Sequence, residues 1–258
     1  MTIPTLSTSY FNLLTPGNPK TVKGMKKGYW TFILHLAPAD ISGYEMCPKR
    51  TVGCTFGCLN TAGRGGLAKD YRVTYVSAAS GLHTNSVQEA RIRRTRLYME
   101  DRDTFMGQLI ADINKAIRFC ERHGYVPVFR LNGTSDVRWE LASFMGYNLM
   151  RDLFPSIQFY DYTKLTNRRG VPANYHLTFS LAENNDDAAR EALAAGMNVA
   201  VVFRNKSVVA AQRVMMGAPV VNGDESDLRF LDGKDGAVIV ALYAKGPAKR
   251  DTSGFVRN

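Results

Sequence analysis

The chain has 258 residues, of which 45% are hydrophobic and 22% charged, and a formal net charge of +10 at pH 7. This length and apolar content suffice for one sizeable core, and α/β barrels of this length commonly form one domain. No apolar run approaches the roughly 18 residues that a membrane helix needs, and the polar N-terminus has no signal-peptide core. We therefore expect a soluble cytoplasmic protein with no membrane partner, in which cysteines stay reduced.

The first predicted elements lead into a loop that is rich in cysteine. Residues 1–28 carry several prolines and a basic run, which predicts an irregular N-terminal segment followed by a single domain over 29–258. Residues 30–36 (WTFILHL) form an almost wholly apolar run that is typical of a buried parallel strand. The next stretch, 47–58 (CPKRTVGCTFGC), holds two glycines and a proline and is predicted to be a loop. Its thiols are Cys47, Cys54 and Cys58.

Three thiols in one loop favour a soft metal, because thiolates prefer zinc, copper(I) and iron–sulfur clusters. Structural zinc normally takes four ligands, and no second Cys or His pair lies nearby. A [4Fe-4S] cluster is usually held by four cysteines, so three would leave one iron free for a small molecule. The spacing favours the cluster; zinc and metal-free thiols, including a redox pair, stay open as alternatives.

The remaining elements alternate between helices and strands. A glycine-rich segment over 60–71 surrounds Arg64 and could wrap an anion or serve as a connection. Helices are predicted over 87–100, 103–122, 137–150 and 186–195. Strands are predicted over 126–131, 156–160, 175–181, 198–203, 218–221 and 237–243. Cys120 falls on the apolar stripe of the second helix, where a small buried hydrophobic residue is expected rather than a ligand.

This alternation predicts an α/β fold with a parallel sheet or barrel. Ligands of such folds collect at the carboxyl ends of the strands, where the cysteine loop also lies. The polar residues that follow the later strands are therefore expected to line the same site. The predicted ligand-contacting residues are Asn132, Thr134, Asp136, Tyr160, Asp161 and Ser180.

The excess of positive charge makes nucleic acid a candidate partner. The densest basic cluster lies in the helix predicted over 87–100 and comprises Arg91, Arg93, Arg94 and Arg96. Such a run is either a solvated helix face or a strip that contacts phosphates. A zinc finger, an RNA-recognition signature or a helix-turn-helix pattern is not evident.

Several long blocks of the sequence resemble a phage family usually called the "gene product eighty-eight" domain family. They are HLAPADISGYEMCPKRTVGC, CLNTAGRG, RLNGTSDVRWE, QFYDYTK and GDESDLRFLDGKDGAVIVALYAKGPAKRDTSGF. The resemblance covers roughly residues 20–256 and implies a bacteriophage protein that acts in the cytoplasm of an infected host cell. It implies no settled activity.

More distantly, the strand followed by three cysteines resembles the radical S-adenosylmethionine superfamily. That resemblance implies a partial (β/α)6 TIM-like barrel, a [4Fe-4S] cluster on the three cysteines and S-adenosylmethionine held by the polar strand ends. Here six and then three residues separate the cysteines, against three and two in the superfamily, and its glycine-glycine-glutamate block has no match. The alternatives are a cluster protein for electron transfer or sensing, and a basic nucleic-acid-binding accessory protein.

Overall fold

The computed structural model describes residues 10–17, 21–61, 85–211, 213–233 and 235–258. The strands are β1 (Leu14–Thr15), β2 (Tyr29–Leu34), β3 (Val126–Arg130), β4 (Ser143–Phe144), β5 (Tyr147–Asn148), β6 (Gln158–Thr163), β7 (Tyr175–Ser180), β8 (Val199–Phe203), β9 (Val214–Met215), β10 (Ala218–Asn222), β11 (Ile239–Tyr243) and β12 (Val256–Arg257). The α-helices are α1 (Val22–Met25), α2 (Val52–Phe56), α3 (Ser86–Glu100), α4 (Arg102–His123), α5 (Asp186–Ala194) and α6 (Lys206–Ala211). Most of the predicted glycine-rich segment, from residue 62 onward, lies outside the described residues.

The main sheet orders its strands β1-β2-β3-β6-β7-β8-β11-β10-β9, and β12 also pairs with β8. The seven strands between the two edges run parallel, while β1 and β9 pair antiparallel with their neighbours. In one half of the sheet, neighbouring strands follow the order of the chain, as they do in a barrel: β2, β3, β6, β7 and β8. Among the described strands, however, no pairing closes the sheet into a barrel. The predicted α/β domain with a mostly parallel sheet is confirmed; a barrel of the radical-S-adenosylmethionine type is not confirmed.

One face of the sheet packs against α4 and forms the largest core. This face presents Phe32, Phe129, Phe159 and Leu177, all buried. Helix α4 contributes the stripe Phe105, Leu109, Ile113 and Cys120, each fully buried, which confirms the predicted core position of this cysteine. Gly124 ends α4 in the left-handed region (φ 70°), as its place after the stripe predicts.

Part of the N-terminal segment predicted to be irregular is held in the sheet. The Asp112 carboxylate, buried in α4, accepts hydrogen bonds from the backbone amides of Asn12, Leu13 and Leu14 at 3.2, 2.7 and 3.1 Å. Strand β1 pairs antiparallel with β2, and an acceptor almost 100 residues further along the chain holds the backbone amides at its start. Helix α1 follows it.

The prediction of a helix over 137–150 is wrong. This stretch forms a 3₁₀ turn (Trp139–Leu141), the hairpin β4–β5 and the start of a π turn (Leu149–Leu153). The hairpin turns at Met145 and Gly146, both with positive φ (51° and 85°), a conformation that a helix cannot contain. Long-range contacts of the buried Trp139, rather than an apolar helical face, fix the local structure.

The other face of the sheet is covered by the segment 223–233, which follows β10. Leu228 and Phe230 from this segment pack against Val128 and Tyr160. An ion pair of 2.7 Å joins the Arg130 guanidinium on β3 to Asp227. This part of the sheet is therefore filled by the chain itself.

Candidate functional site

The cysteine loop, residues 47–58, follows β2 after a connection over residues 35–46 and contains one helical turn, although the sequence predicts an irregular loop. The five residues of α2 include Cys54, and the hydroxyl of the N-cap residue Thr51 accepts a hydrogen bond from the Cys54 amide at 3.1 Å. An N-cap of this kind satisfies one amide that a helix start leaves open. The middle thiol therefore stands on a fixed helical turn, and Cys47 and Cys58 flank it.

The loop crosses the carboxyl ends of several strands. At one end, the Cys47 thiol donates to the Thr134 carbonyl (Sγ–O 3.8 Å), in the loop after β3. Further along, the Glu183 carboxylate, just after β7, accepts from the Thr51 hydroxyl at 2.7 Å and from the Gly53 amide at 2.8 Å. The cysteines thus lie at the edge of the sheet where ligands of parallel α/β folds bind.

The middle of the loop is pressed against the C-terminal segment. A Cβ atom on Gly53 would lie 2.0 Å from Ser253 Oγ and 2.6 Å from Phe255 Cβ, so only glycine fits there. Cys54 packs in a small apolar cluster with Ala248 and Phe255. Contact between α2 and the segment before β12 therefore sets how deeply the thiols lie.

The three thiols are close enough to influence one another. Burial raises the pKa of Cys47 to about 12, and Cys58 and Cys54 add to the rise. Burial also raises the pKa of Cys58, where Cys54 contributes and the cations Arg91 and Lys164 oppose the rise. Without a metal these two thiols are therefore protonated at neutral pH, and a metal that binds them must displace protons.

Two arginines of helix α3 hold the chain on either side of the cysteine loop. Arg91 is buried, and its guanidinium donates to the Asn60 carbonyl at 3.3 Å and to Asn60 Oδ1 at 2.6 Å. Arg96 Nε donates to the Ser42 carbonyl at 3.3 Å. Within this helix Arg93 is exposed. These contacts do not test the predicted binding of nucleic acid, but they give Arg91 and Arg96 a role inside the fold.

Three of the predicted ligand-contacting residues lie together beside the thiols. Thr134 receives the Cys47 hydrogen bond, and Asp136 lies close enough to raise the pKa of Cys47. The Asp136 carboxylate accepts from the Lys164 amide at 2.8 Å, and the Lys164 ammonium donates to the Ser180 hydroxyl at 2.9 Å. The ends of β3, β6 and β7 are therefore joined beside the cysteine loop. Contact of Thr134, Asp136 or Ser180 with a ligand stays a prediction.

Asn132 and Asp161 organise the loop after β3. The Asp161 carboxylate accepts from the Leu131 and Asn132 amides at 3.2 and 2.9 Å and from the Tyr175 hydroxyl at 3.0 Å. Its complete burial raises the pKa of Asp161 to about 7. Asn132 Oδ1 in turn accepts from Trp139 Nε1 at 3.1 Å. A ligand contact for either side chain stays a prediction.

Tyr160 also takes part in the fold. Its side chain is fully buried beneath Leu228, and its hydroxyl shares a hydrogen bond of 3.1 Å with the Thr31 hydroxyl. Contact between Tyr160 and a ligand would require the segment 223–233 to move.

Four further residues complete the site but are not among the six predicted ligand-contacting residues: Glu183, Lys164, Arg91 and Phe255. Glu183 and Lys164 stand at strand ends, so the rule that found Asp136 and Ser180 also marks them. Arg91 and Phe255 carry no comparable signal, because their roles depend on contacts between distant parts of the chain.

A cleft of about 470 Å³ opens beside the cysteine loop. Met46, Pro48, Tyr98, Asp136 and Leu165 are among the residues that line it. Among the described residues, no three His, Cys, Asp or Glu side chains converge closely enough to hold one metal ion. In the same residues no helix is both long and apolar enough to cross a membrane.

A family model described as Gene product 88 matches residues 12–258, which is most of the chain. No curated protein and no solved structure matches.

Proposed function

The chain belongs to the Gene product 88 family, and we propose that this phage protein binds one [4Fe-4S] cluster through Cys47, Cys54 and Cys58. One observation carries the proposal. The three thiols share one loop at the carboxyl edge of a parallel sheet, and the Cys47 and Cys58 thiols each lie within electrostatic range of the others. The fourth cysteine, Cys120, belongs to α4 and is buried in the core, away from this loop.

The chemistry of the donor set fits the cluster. All three cysteines are free and half-buried, so they are sheltered without being sealed in the core. Thiolates are the ligands that iron–sulfur clusters prefer. A set of three thiolates is strongly negative, and the nearby cations Arg91 and Lys164 oppose that charge. The cations thereby favour the deprotonated state that metal binding needs.

A cubane held by three cysteines supplies one iron that can chelate a small molecule. Thr134, Asp136, Lys164 and Ser180 surround the loop with hydroxyl, carboxylate and ammonium groups that can orient such a ligand. S-adenosylmethionine is the ligand that the distant resemblance implies, which would make the protein an enzyme of the radical type. A cluster that serves electron transfer or sensing uses the same three thiols.

The proposed place of action is the cytoplasm of the infected host cell. Reducing conditions there keep the thiols free for the cluster. Contact with nucleic acid through α3 stays a separate prediction, and Arg93 is an exposed arginine on this helix.

Anaerobic purification followed by iron and sulfide analysis tests the proposal. We expect brown protein with about four irons and four sulfides per chain and a broad thiolate-to-iron absorption band. Incubation of the reduced protein with S-adenosylmethionine, followed by an assay for 5′-deoxyadenosine, then separates an enzyme from an electron carrier or sensor.

Single alanine variants of Cys47, Cys54 and Cys58 are each expected to lose the band. Cys120→Ala is the matched control, because this thiol is buried in the core and should leave the iron content unchanged. Zinc without iron in anaerobically prepared protein, or iron that survives all three loop substitutions, would overturn the cluster.

A further inference from the structure

The outer surface of the cysteine loop is uncharged and apolar. From Thr51 to Thr61 the chain has no charged residue, although 22% of the whole chain is charged. Val52, Phe56 and Leu59 are 82%, 47% and 55% exposed, and we call these three side chains the loop patch. Val52 and Phe56 are four residues apart in α2 and so share one side of it. Adjacent exposed apolar side chains of this size are typical of interaction surfaces.

The loop patch lies directly over one of the thiols. Cys54 stands between Val52 and Phe56 in α2 but packs inward, against Ala248 and Phe255. A single turn of helix therefore separates the exposed patch from a proposed cluster ligand.

Basic side chains border the loop patch. The turn Gly246–Arg250 packs against α2 and against the turn Leu59–Thr61, and it exposes Lys249 and Arg250. Lys49 is exposed just before α2. The neighbouring carboxylate of Glu45 is already engaged by Arg50 Nε at 2.9 Å. An apolar centre with a basic border is complementary to an acidic protein surface.

We propose that the loop patch and its basic border are the docking surface for a small acidic electron-carrier protein. This inference rests on the proposed cluster. The chain has four cysteines, three in the loop and one buried alone in the core, so a second cysteine-held cluster has no ligands here. The electron must then come from another molecule. One electron leaves the reduced carrier and enters the oxidised cluster, with no bond formed and no proton transferred.

Anaerobic stopped-flow mixing with a photoreduced flavodoxin, a small acidic flavin protein, tests the surface. The variants are Val52→Ser/Phe56→Ser/Leu59→Ser for the apolar centre and Lys249→Glu/Arg250→Glu for the border. We expect each to slow cluster reduction by flavodoxin at least about tenfold, since such changes remove buried anchors or steering charge. The wild-type rate should fall as salt is raised.

Matched controls carry the same kinds of change elsewhere. Leu141→Ser/Met145→Ser/Val214→Ser replaces three apolar side chains that are each more than 60% exposed, and Lys26→Glu/Lys27→Glu reverses the charge of two exposed lysines before β2. Both should keep the wild-type rate. Dithionite, which needs no docking surface, should reduce the cluster of every variant equally, which shows that the cluster itself is intact.

The outcomes separate this inference from the cluster. Equal flavodoxin rates in wild type and both patch variants would overturn the docking surface while the cluster stands. Self-association that the patch variants abolish, with carrier rates unchanged, would identify the patch as a contact between copies and also overturn it. Iron-free protein would overturn the proposed cluster. In that case, calorimetric titration with oxidised flavodoxin tests the docking surface by itself, and equal binding by wild type and patch variants would overturn it.

Discussion

The Gly53 amide donates a hydrogen bond of 2.8 Å to the Glu183 carboxylate, across 130 residues of chain. The other oxygen of the same carboxylate accepts from the Thr51 hydroxyl at 2.7 Å. One side chain after β7 thus fixes both the N-cap and the first turn of α2, the helix that carries Cys54. Glu183 is therefore a positioning residue for the proposed cluster.

Glu183→Ala should loosen the cysteine loop without unfolding the sheet, because the side chain is half-exposed and outside the core. Loss of two hydrogen bonds to a carboxylate should make local opening at least about tenfold more frequent. Amide hydrogen exchange of residues 51–57 measures this, and iron content after dilution into a chelator should fall in parallel. Glu183→Gln, which keeps one acceptor oxygen, should restore most of the protection.

Gly53→Ala should displace α2 outward. Its new methyl group would lie 2.0 Å from Ser253 Oγ and 2.6 Å from Phe255 Cβ, a clash that backbone movement must relieve. We expect a stability loss of about 1–3 kcal/mol and a clear loss of bound iron. Gly107→Ala in α4 is the matched control, because its methyl group would meet only Phe144 Cζ at 3.9 Å. Urea unfolding measures the loss of stability in both variants. Equal destabilisation of the two would contradict a steric role for Gly53.

Most of the regular structure can be predicted because its signals are local. Apolar runs mark β2, β8 and β11, and Gly124 marks the end of α4. The failure at 137–150 has a different origin. Its composition suits a helix, but the positive φ of Met145 and the burial of Trp139 against α3 and α4 impose turns instead. Tertiary contacts override helix propensity there.

The candidate site divides in the same way. Three cysteines in twelve residues after a buried strand are visible in the sequence, and so are polar strand ends such as Asp136 and Ser180. The partners of Arg91 are not, since a basic run in a helix normally predicts a solvated face. The covering of Tyr160 by Leu228 likewise depends on a segment almost 70 residues away.

Asp112→Ala should destabilise the protein through β1. Removal of this buried carboxylate leaves the amides of Asn12, Leu13 and Leu14 without their acceptor. Unsatisfied buried donors cost about 1–3 kcal/mol each. Leu13 and Leu14 are buried but Asn12 is exposed, and partial release of β1 to solvent lowers the total further, so we expect a loss of about 2–3 kcal/mol. Thermal or urea unfolding measures it. Unchanged stability, or unchanged amide exchange at residues 12–14, would contradict the role of Asp112.

His176 should make the fold sensitive to mild acid. Its Nε2 atom is buried on β7 with no hydrogen-bond partner among the described residues. Burial, and then the charge of Arg229, lower the pKa of His176 to about 4. In the unfolded chain the histidine pKa is about 6.5. Between these two pH values His176 is protonated in the unfolded chain and neutral in the folded chain. The free energy of unfolding is therefore unaffected by His176 above about pH 6.5 and falls as the pH drops toward 4.

The variant His176→Gln removes this titration while keeping a polar side chain. Its free energy of unfolding should fall less steeply between about pH 6.5 and 4 than that of the wild type, by up to about 3 kcal/mol. Part of the slope should remain, because burial, with Arg91, Arg130 and Arg94, also lowers the pKa of His35, to about 3, and has the same sign. Urea unfolding across this pH range measures both slopes. Parallel curves for the two proteins would mean that His176 takes up its proton as readily in the folded chain as in the unfolded one, and that β7 at this position is open to water.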